Sequence, residues 1–399
     1  LSEYFIRSAL KQATILHQKF PHDARFSIDS RTLNQGDIFV AVKGSSTDGH
    51  NYIEQAIQSG AAGLMIDGNK REILDQYDKR LLENLVVIAV DNTLEALYTV
   101  AKAHRARLTM PIIGITGSIG KTSTKEMLGN IVKLSGRECY TSRENQNTKL
   151  GVALNLLNIR SHNECGILEC GINARGEMDE IVDILRPNFA VITGIAHSHL
   201  EGLGSIGDIA AEKRVIFKHF SSDNIGIING DQALLAQVGY NHPVVKFGFK
   251  TTNQIQVRKV RVNDNRIDCI FKIYNEKHPV SLPHVHSGQL INRLAASAVA
   301  YLLNIPQSVI IEASKQYVQV QGRFEQRTLK NNKGLLIHDA YNASPESMKS
   351  ALLTFSRIKT DAKKIIILGD MLELGANSPF WHRQLGRVLR KMSSNHRII

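Results

Sequence analysis

The residues best suited to chemistry form a glycine-rich turn between an apolar run and a helical pattern. The turn comprises Thr116, Gly117, Ser118, Ile119, Gly120, Lys121, Thr122 and Ser123. In such a turn the backbone N–H groups point at phosphate oxygens, the lysine reaches the outer phosphates and the threonine hydroxyl can bind Mg²⁺. The strict P-loop pattern has glycine at position 115, where this chain has Ile115, so the shorter form T-G-S-x-G-K-T remains. We predict a nucleoside triphosphate site; a purely structural turn is the alternative.

Three more polar residues could act on a bound nucleotide. Glu169 directly follows an apolar run, and ligands bind at the carboxyl ends of strands in doubly wound sheets. We therefore predict a Mg²⁺ ligand, with a solvated or helix-capping glutamate as the alternative. His199 forms a His-x-His pair with His197 and could hold a second metal ion as neutral imidazole, or be structural. Lys213 follows in a helical pattern, where spacing alone predicts a surface lysine.

The elements around these residues indicate a doubly wound α/β arrangement. The glycine turn joins a predicted strand at 111–115 to a predicted helix at 122–134. Further short β runs at 166–168, 189–193 and 225–229 alternate with helical patterns. That alternation predicts a parallel sheet with crossover helices.

The sequence beyond this sheet changes in texture. Between positions 244 and 282 apolar and polar residues alternate around Asn263-Asp264-Asn265, which predicts an antiparallel hairpin added to the sheet. A run rich in alanine and leucine at 287–303 then predicts a helix.

Such changes divide the chain into three predicted domains, 1–108, 109–322 and 323–399. A chain of 399 residues exceeds one ordinary domain. The third block contains two convincing strands, at 335–337 and 365–368, fewer than an open sheet needs. Because the chain also begins with leucine rather than methionine, we predict a fragment whose C-terminal domain is truncated.

Two polar turns flank a short apolar strand in the first block. Ser30 and Arg31 precede the strand, and Asp48, Gly49 and His50 follow it. Loops of this kind either grip a polar ligand or simply connect elements.

Composition excludes several classes of protein. With 43% hydrophobic and 22% charged residues, the chain resembles an ordinary globular protein. No apolar run approaches the length of a membrane span, so we expect no membrane insertion. The four cysteines form no C-x-x-C pair and fit a reduced, cytoplasmic setting. The net charge of +12 is scattered and not interleaved with aromatics, which favours small anionic ligands over nucleic acid.

Longer motifs show a resemblance to a known family. The first block contains S-R, then G-D-x-F-V-A, then D-G-H; the second contains Glu169 to Glu177 in the pattern E-x-G-x-N-x-x-G-E. The third contains D-A-Y-N-A-S-P-E-S-M from Asp339 and L-G-D-M-L-E-L-G from Leu368. Together these resemble the Mur ligases, ATP-dependent amide-forming enzymes of peptidoglycan synthesis, and in particular the branch that adds D-alanyl-D-alanine.

The resemblance implies a fold and a set of roles. It implies a UDP-sugar-binding domain, a central P-loop domain and a Rossmann-like ligase domain. Lys121 and Thr122 would hold the ATP phosphates and Mg²⁺, while Glu169 and His199 would bind metal ions. Lys213 matches a lysine that CO₂ carbamylates in the family, turning a cation into an anion that supports the second Mg²⁺.

The resemblance also implies ligands for the flanking domains. Arg323 would reach the phosphates from the third domain, with Asn292 and Asp339 on the nucleotide side. Ser30, Arg31, Asp48, Gly49 and His50 would bind the UDP-sugar. The expected substrates are ATP, UDP-N-acetylmuramoyl-tripeptide and D-alanyl-D-alanine, and the expected state is a monomer.

Two departures and three alternatives remain. The family pattern N-x-N-N-x-x-G-x-P is replaced here by the run from Asn145 to Ala153, and G-x-H-N-x-x-N by the run from His286 to Asn292. Adenine contacts therefore transfer less securely than phosphate contacts. The alternatives are another Mur or folylpolyglutamate-synthetase-like ligase, a P-loop switch protein, or a non-catalytic scaffold.

Overall fold

The computed structural model describes most of the chain. The described residues are 2–18, 20–21, 25–143, 146–263, 266–283, 287–330, 334–358, 360, 362–392 and 396–398. Three features of the sequence analysis extend beyond these ranges: the predicted turn at 264–265, and the two departures from the family pattern at Asn145 and His286.

The strands of the described residues fall into four sheets. Those of the first sheet are β1 (Thr14–Gln18), β2 (Phe26–Ser27), β3 (Ile38–Val40), β4 (Gly63–Asp67) and β5 (Val86–Val90). The second sheet contains β6 (Ile112–Thr116), β7 (Cys139–Thr141), β8 (Cys165–Glu169), β9 (Phe189–Ile192), β10 (Ile225–Asn229), β11 (Val244–Gly248), β12 (Ile255–Val262), β13 (Arg266–Ile273) and β14 (Glu276–Pro283). The two smaller sheets contain β15 (Glu325–Thr328) with β16 (Leu335–His338), and β17 (Lys364–Ile366) with β18 (His396–Ile398).

The α-helices lie between these strands. They are α1 (Glu3–Ala9), α2 (Ile53–Gln58), α3 (Lys79–Leu82), α4 (Thr93–Arg107), α5 (Lys121–Leu134), α6 (Lys149–Asn158), α7 (Glu177–Leu185), α8 (Leu200–Leu203), α9 (Ile206–Arg214), α10 (Ala233–Ala236), α11 (Ser287–Leu302), α12 (Gln307–Lys315), α13 (Pro345–Arg357) and α14 (Ser378–Lys391). Short 3₁₀ segments include Gly49–Tyr52 and Gly68–Gln76.

Two compact units make up the fold. The first contains Leu1–Thr109 together with Lys149–Ser161 and Asp183–Leu185. The second contains the remainder, through Ile399. The first unit thus takes in two segments from within the predicted 109–322 domain, and the second includes all of the predicted 323–399 domain.

The first unit has a five-stranded sheet in the order β1-β5-β4-β3-β2. Strands β2 to β5 are parallel and β1 is antiparallel to β5. Strand β5 is a continuous apolar run with every residue buried, which is typical of a strand covered on both faces. Its loops therefore have a rigid sheet beneath them.

The second unit has a nine-stranded sheet in the order β14-β13-β12-β11-β10-β9-β6-β8-β7. The pairs from β12 to β7 are parallel, while β12–β13 and β13–β14 are antiparallel. This confirms the predicted α/β class with an antiparallel addition. Helices α5 and α11 pack together, and their apolar residues share one buried core with the sheet. The P-loop strand β6 lies centrally, between β9 and β8.

The segment after Arg323 has its own small core. Met371, Leu374 and Leu385 are buried in it, and Leu200 of α8 packs against it. Helix α13 begins with a capping box formed by Ser344 and Ser347, with Pro345 at its first position. The predicted strands at 335–337 and 365–368 correspond to β16 and β17 within one or two residues.

Candidate nucleotide-binding site

The glycine turn that follows β6 has a left-handed backbone that favours glycine at two positions. Gly117 has φ of 148° and Gly120 has φ of 85°. A Cβ at Gly117 would lie 2.0 Å from Oγ1 of Thr193, and one at Gly120 would lie 2.2 Å from Oδ1 of Asn292. Both glycines are therefore required by conformation and by close approach. The second contact also places Asn292, which is 7% exposed on α11, directly against the turn.

Hydrogen bonds fix the path of the turn. The Ser118 N–H donates to the Gly194 carbonyl at 2.7 Å, and the Thr193 hydroxyl lies 2.5 Å from the Ile119 carbonyl. The Lys121 ammonium donates to the Gly117 carbonyl at 2.9 Å, so it bends back over the turn. Two buried hydroxyl oxygens, those of Thr116 and Ser118, have no hydrogen-bond partner among the described residues. The turn therefore offers unsatisfied polar groups to a ligand.

Glu169 is bound to the first turn of α5. The Thr122 hydroxyl donates to its Oε2 at 2.9 Å, and the Asn147 amide donates to its Oε1 at 3.0 Å. Glu169 ends β8, which pairs with β6 in parallel, and it is 6% exposed. It is neither solvated nor a helix cap. Ser123 is half-buried and follows Thr122 on α5.

Lys213 lies close enough to Lys121 for the neighbouring charge to disfavour its protonated form. Lys213 on α9 is 1% exposed, which excludes the surface lysine that spacing alone predicted. Burial, and then the Lys121 ammonium, hold the pKa of Lys213 well below its ordinary value. Burial likewise lowers the pKa of Lys121, while Glu169 opposes this effect. The lowered pKa therefore favours the unprotonated form of the Lys213 amine.

The two histidines after β9 each meet a carboxylate from the C-terminal segment. Nδ1 of His199 lies 2.5 Å from Oε2 of Glu373, and Nδ1 of His197 lies 2.5 Å from Oε1 of Glu346. The His197 ring also packs on Trp381, with centroids 4.3 Å apart. His199 has φ of 55° and precedes α8. The structure thus uses both histidines to join this loop to the last segment of the unit.

Arg323 is held at the entrance to that segment. Its guanidinium carbon lies 3.9 Å from the centroid of the Tyr341 ring. The next residue, Phe324, has φ of 54°, and its N–H donates to Oδ1 of Asp339 at 3.0 Å. Burial lowers the pKa of Arg323 and raises that of Asp339. Asp339 therefore fixes the backbone next to Arg323, a supporting contact that local sequence pattern does not reveal.

In the first unit, the predicted Ser-Arg turn is tied to α2. The Ser30 hydroxyl donates to Oε1 of Gln55 at 2.8 Å, and Ser30 is 5% exposed. Arg31 is exposed and forms a fork with Asp29, at 2.9 and 2.8 Å. The hydrogen bonds from Arg31 lower the pKa of Asp29.

The Asp-Gly-His turn forms a closed polar network. His50 is 3% exposed; its Nε2 accepts the Asp67 N–H at 3.0 Å, so its Nδ1 carries the proton and donates to Asp48 at 2.6 Å. Asp48 also accepts from Lys70. Burial alone would raise the pKa of Asp48, but the bonds from Lys70 and His50 lower it overall. A Cβ at Gly49 would lie 2.7 Å from the Val42 N, so glycine is required by close approach.

The structure brings together fewer candidate metal ligands than the sequence predicted. Across the part of the chain that the structure describes, no group of three or more His, Cys, Asp or Glu side chains is gathered as a metal site. Thr122 and Glu169 do supply adjacent oxygens, which Mg²⁺ prefers when nucleotide phosphates complete its coordination. These two residues therefore fit Mg²⁺.

Sequence reasoning missed several contributing residues. Thr193, Asn147, Glu373 and Lys70 each contact a predicted site residue from a distant part of the chain. Asn147 and Glu373 lie inside segments that were compared with family motifs. Only that position in a motif could have indicated them from the sequence. Separately, among the described residues no helix is both long and apolar enough to span a membrane.

A P-loop at the carboxyl edge of a parallel sheet, with a carboxylate bound to its threonine, defines the class: an α/β P-loop nucleotide-binding protein. Three family models match successive parts of the chain: "Mur ligase family, catalytic domain" at 25–105, "Mur ligase middle domain" at 115–300 and "Mur ligase, glutamate ligase domain" at 322–397. The chain belongs to the Mur ligase family.

Individual relatives agree with this assignment. The chain is 35% identical over 364 residues to the UDP-N-acetylmuramoyl-tripeptide–D-alanyl-D-alanine ligase of Bacillus subtilis, covering 90% of this chain and 76% of that one. It is 32% identical to the ligase of the same name from Rickettsia prowazekii, covering 90% and 78%. The predicted family and enzyme class, an ATP-dependent ligase, are confirmed.

Solved structures confirm the fold. The MurF ligase of Thermotoga maritima, solved in complex with ADP, matches with a TM-score of 0.80 at 27% identity, covering 94% of this chain and 88% of that one. MurF of Acinetobacter baumannii matches with a TM-score of 0.82 at 24% identity, covering 100% and 89%.

Proposed function

We propose that this chain joins D-alanyl-D-alanine to UDP-N-acetylmuramoyl-tripeptide at the expense of ATP, in the synthesis of a peptidoglycan precursor. The carboxylate of the tripeptide takes the γ-phosphoryl group of ATP, and the dipeptide amine then displaces phosphate from the acyl phosphate. The observation that carries the proposal is the P-loop turn with Thr122 bound to Glu169, in a chain whose relatives bear that name.

The P-loop residues supply the phosphate end of the site. The unpartnered hydroxyls of Thr116 and Ser118 and the N–H groups of the turn other than that of Ser118 would bind phosphate oxygens, and Lys121 can leave the Gly117 carbonyl for a phosphate oxygen. Gly117 and Gly120 let the backbone approach closely. Fixed positive groups at transferring phosphates are the main catalytic requirement of phosphoryl transfer.

Thr122 and Glu169 would hold the Mg²⁺ of the nucleotide through their oxygens. When bound, Mg²⁺ neutralises phosphate charge. Glu169 is already oriented for this role, because Asn147 fixes one carboxylate oxygen and Thr122 the other. His199 would offer its ring nitrogen on the same side of the sheet, after β9.

Lys213 would act as a carbamate. A neutral amine attacks CO₂, its nitrogen forms the N–C bond and one proton leaves to solvent. The depressed pKa of Lys213 makes the neutral amine available, and the resulting anion would relieve the repulsion from Lys121. The carbamate oxygens would then support the second metal ion.

The C-terminal segment of the second unit would also contact the nucleotide. Arg323, stacked on Tyr341, would reach the phosphates, with Asp339 fixing the adjacent backbone. Asn292 lies against Gly120, next to the phosphate-binding turn, which supports its assignment to the nucleotide.

The first unit would bind the UDP-sugar. Ser30, Arg31, Asp48, Gly49 and His50 lie in turns at the carboxyl ends of its parallel strands. His50 would act indirectly, because both of its ring nitrogens are already engaged with Asp48 and Asp67. We further place the reaction in the cytoplasm and assign it to a monomer, which light scattering would test.

Phosphate release tests the proposal. With ATP, Mg²⁺ and the UDP-tripeptide, addition of D-alanyl-D-alanine should increase phosphate release many-fold and yield the UDP-pentapeptide. Release that is unaffected by the dipeptide, with no amide product, would instead indicate a P-loop switch protein.

A further inference from the structure

A buried lysine near the P-loop has no role in the account given so far. Lys125 is on α5, one turn after Thr122, and is 1% exposed. Its ammonium donates to the Ser142 carbonyl at 2.6 Å and lies 2.9 Å from Oε1 of Glu126. A buried ammonium is costly unless it is bonded in this way, so its position is strongly constrained.

The residue that Lys125 holds is itself bound to Glu169. Ser142 follows β7 and is 2% exposed. Its hydroxyl accepts the Glu169 N–H at 3.0 Å, while its own N–H donates to the Ile167 carbonyl at 2.9 Å. Movement of the Ser142 main chain would therefore also move the hydroxyl that accepts the Glu169 N–H.

A further hydrogen bond holds the side chain of Glu169. Asn147, five residues after Ser142, donates to Oε1 of Glu169. Asn147 thus orients the side chain of Glu169, while Lys125 and Ser142 hold its backbone. Helix α5 holds Glu169 twice, directly through Thr122 and indirectly through Lys125 and Ser142.

We propose that Lys125 is a positioning residue that fixes Glu169 for metal binding, through the main chain and hydroxyl of Ser142. This inference rests on the proposed function, since it requires that Glu169 bind the metal ion of the nucleotide. It gives a fully buried cation next to the phosphate-binding turn a role distinct from that of Lys121. Groups that orient metal ligands typically affect metal affinity by about 10- to 100-fold.

Direct metal binding tests the proposal without turnover. The affinity for Mn²⁺, a paramagnetic substitute for Mg²⁺, would be measured by electron paramagnetic resonance with the full chain and a non-hydrolysable ATP analogue. Lys125→Met should weaken Mn²⁺ binding by about 10-fold. Ser142→Ala should weaken it in the same direction, and the double variant should lose less than the two single effects combined. Lys133→Met, which changes an exposed lysine of the same helix, is the matched control.

Thermal unfolding of each variant separates positioning from stability. If folded Lys125→Met has a lower melting temperature but wild-type Mn²⁺ affinity, Lys125 only stabilises the fold and the inference is wrong. If that variant does not fold, Ser142→Ala decides: wild-type Mn²⁺ affinity overturns the inference, and weakened affinity supports it. Failure of the wild-type chain to bind Mn²⁺ with the analogue would instead contradict the proposed function itself.

Discussion

The two candidate ligand regions treat charge in opposite ways. In the first unit, the charged candidate residues already have partners: Arg31 pairs with Asp29, and Asp48 is bonded to both His50 and Lys70. At the P-loop, the Lys121 ammonium lowers the pKa of the buried Lys213, and Arg323 lowers that of Lys121.

This contrast indicates two kinds of binding site. The turns of the first unit form a surface whose charges are already paired, whereas among the described residues the P-loop site has unpaired positive charge that an anion would neutralise. A hydrogen-bonded network whose charges are already paired keeps its shape without a ligand. A ligand binds to that existing surface and does not have to neutralise it. A group of mutually repelling cations around one carboxylate gains most when anions arrive. Single changes should therefore have larger effects on activity at the P-loop than in the first unit.

The largest effect is expected at Lys121. Lys121→Ala should reduce ligation by about 1000-fold, because it removes a charge at the transferring phosphate. The fold should survive, since among the described residues the ammonium donates to the Gly117 carbonyl of its own turn and to no other element. Steady-state assays and thermal unfolding, with exposed Lys133→Ala as the control, measure both. Near-normal turnover in a folded Lys121→Ala protein would remove the basis of the comparison.

The next largest effect is expected at Lys213. Lys213→Ala should reduce activity by about 100-fold, because the carbamate that supports the second metal ion cannot form. Short carboxylic acids should restore part of the activity, and stripping CO₂ from the buffer should inactivate the wild-type chain reversibly. Wild-type rates in Lys213→Ala would show that the buried amine is a packing group only.

A smaller and different effect is expected at His50. His50→Ala should weaken UDP-tripeptide binding by about 10-fold and destabilise the fold by about 1–3 kcal/mol, because the Asp67 N–H loses its acceptor and Asp48 keeps only Lys70 as a side-chain donor among the described residues. ATP affinity should not change. Calorimetric titration of both ligands measures this, with Arg31→Ala as an exposed comparison. Loss of ATP affinity alone would reverse the assignment of the two regions.

The positions of the P-loop turn and of Glu169 could be predicted from the sequence for a physical reason. A strand, a glycine turn and a helix are contiguous, and the end of a parallel strand follows from local pattern. The burial of Lys213 did not follow from spacing, because it depends on what packs over α9. The contacts of Glu373 with His199 and of Lys70 with Asp48 join residues far apart in the chain, where local pattern carries no information.

The smallest expected effect is a dependence of stability on pH. In CO₂-free buffer the folded chain keeps Lys213 neutral at pH values where the unfolded chain, with the ordinary lysine pKa near 10.5, is protonated. Unfolding then takes up a proton, so stability should rise with pH in that window, by at most about 1.4 kcal/mol per pH unit. Denaturant titrations at pH 9 and 10, just below the ordinary lysine pKa, should show this slope in the wild type and a smaller one in Lys213→Met. Equal slopes would place the Lys213 pKa at its ordinary value.

The most direct test of the central claim follows an oxygen atom. UDP-tripeptide labelled with ¹⁸O in its terminal carboxylate would be incubated with ATP, Mg²⁺ and D-alanyl-D-alanine, and the released phosphate analysed by mass spectrometry. Transfer through an acyl phosphate predicts one ¹⁸O atom in each phosphate and one in the new amide. Unlabelled phosphate would mean that water attacks ATP, and would contradict the assignment of this chain as a ligase.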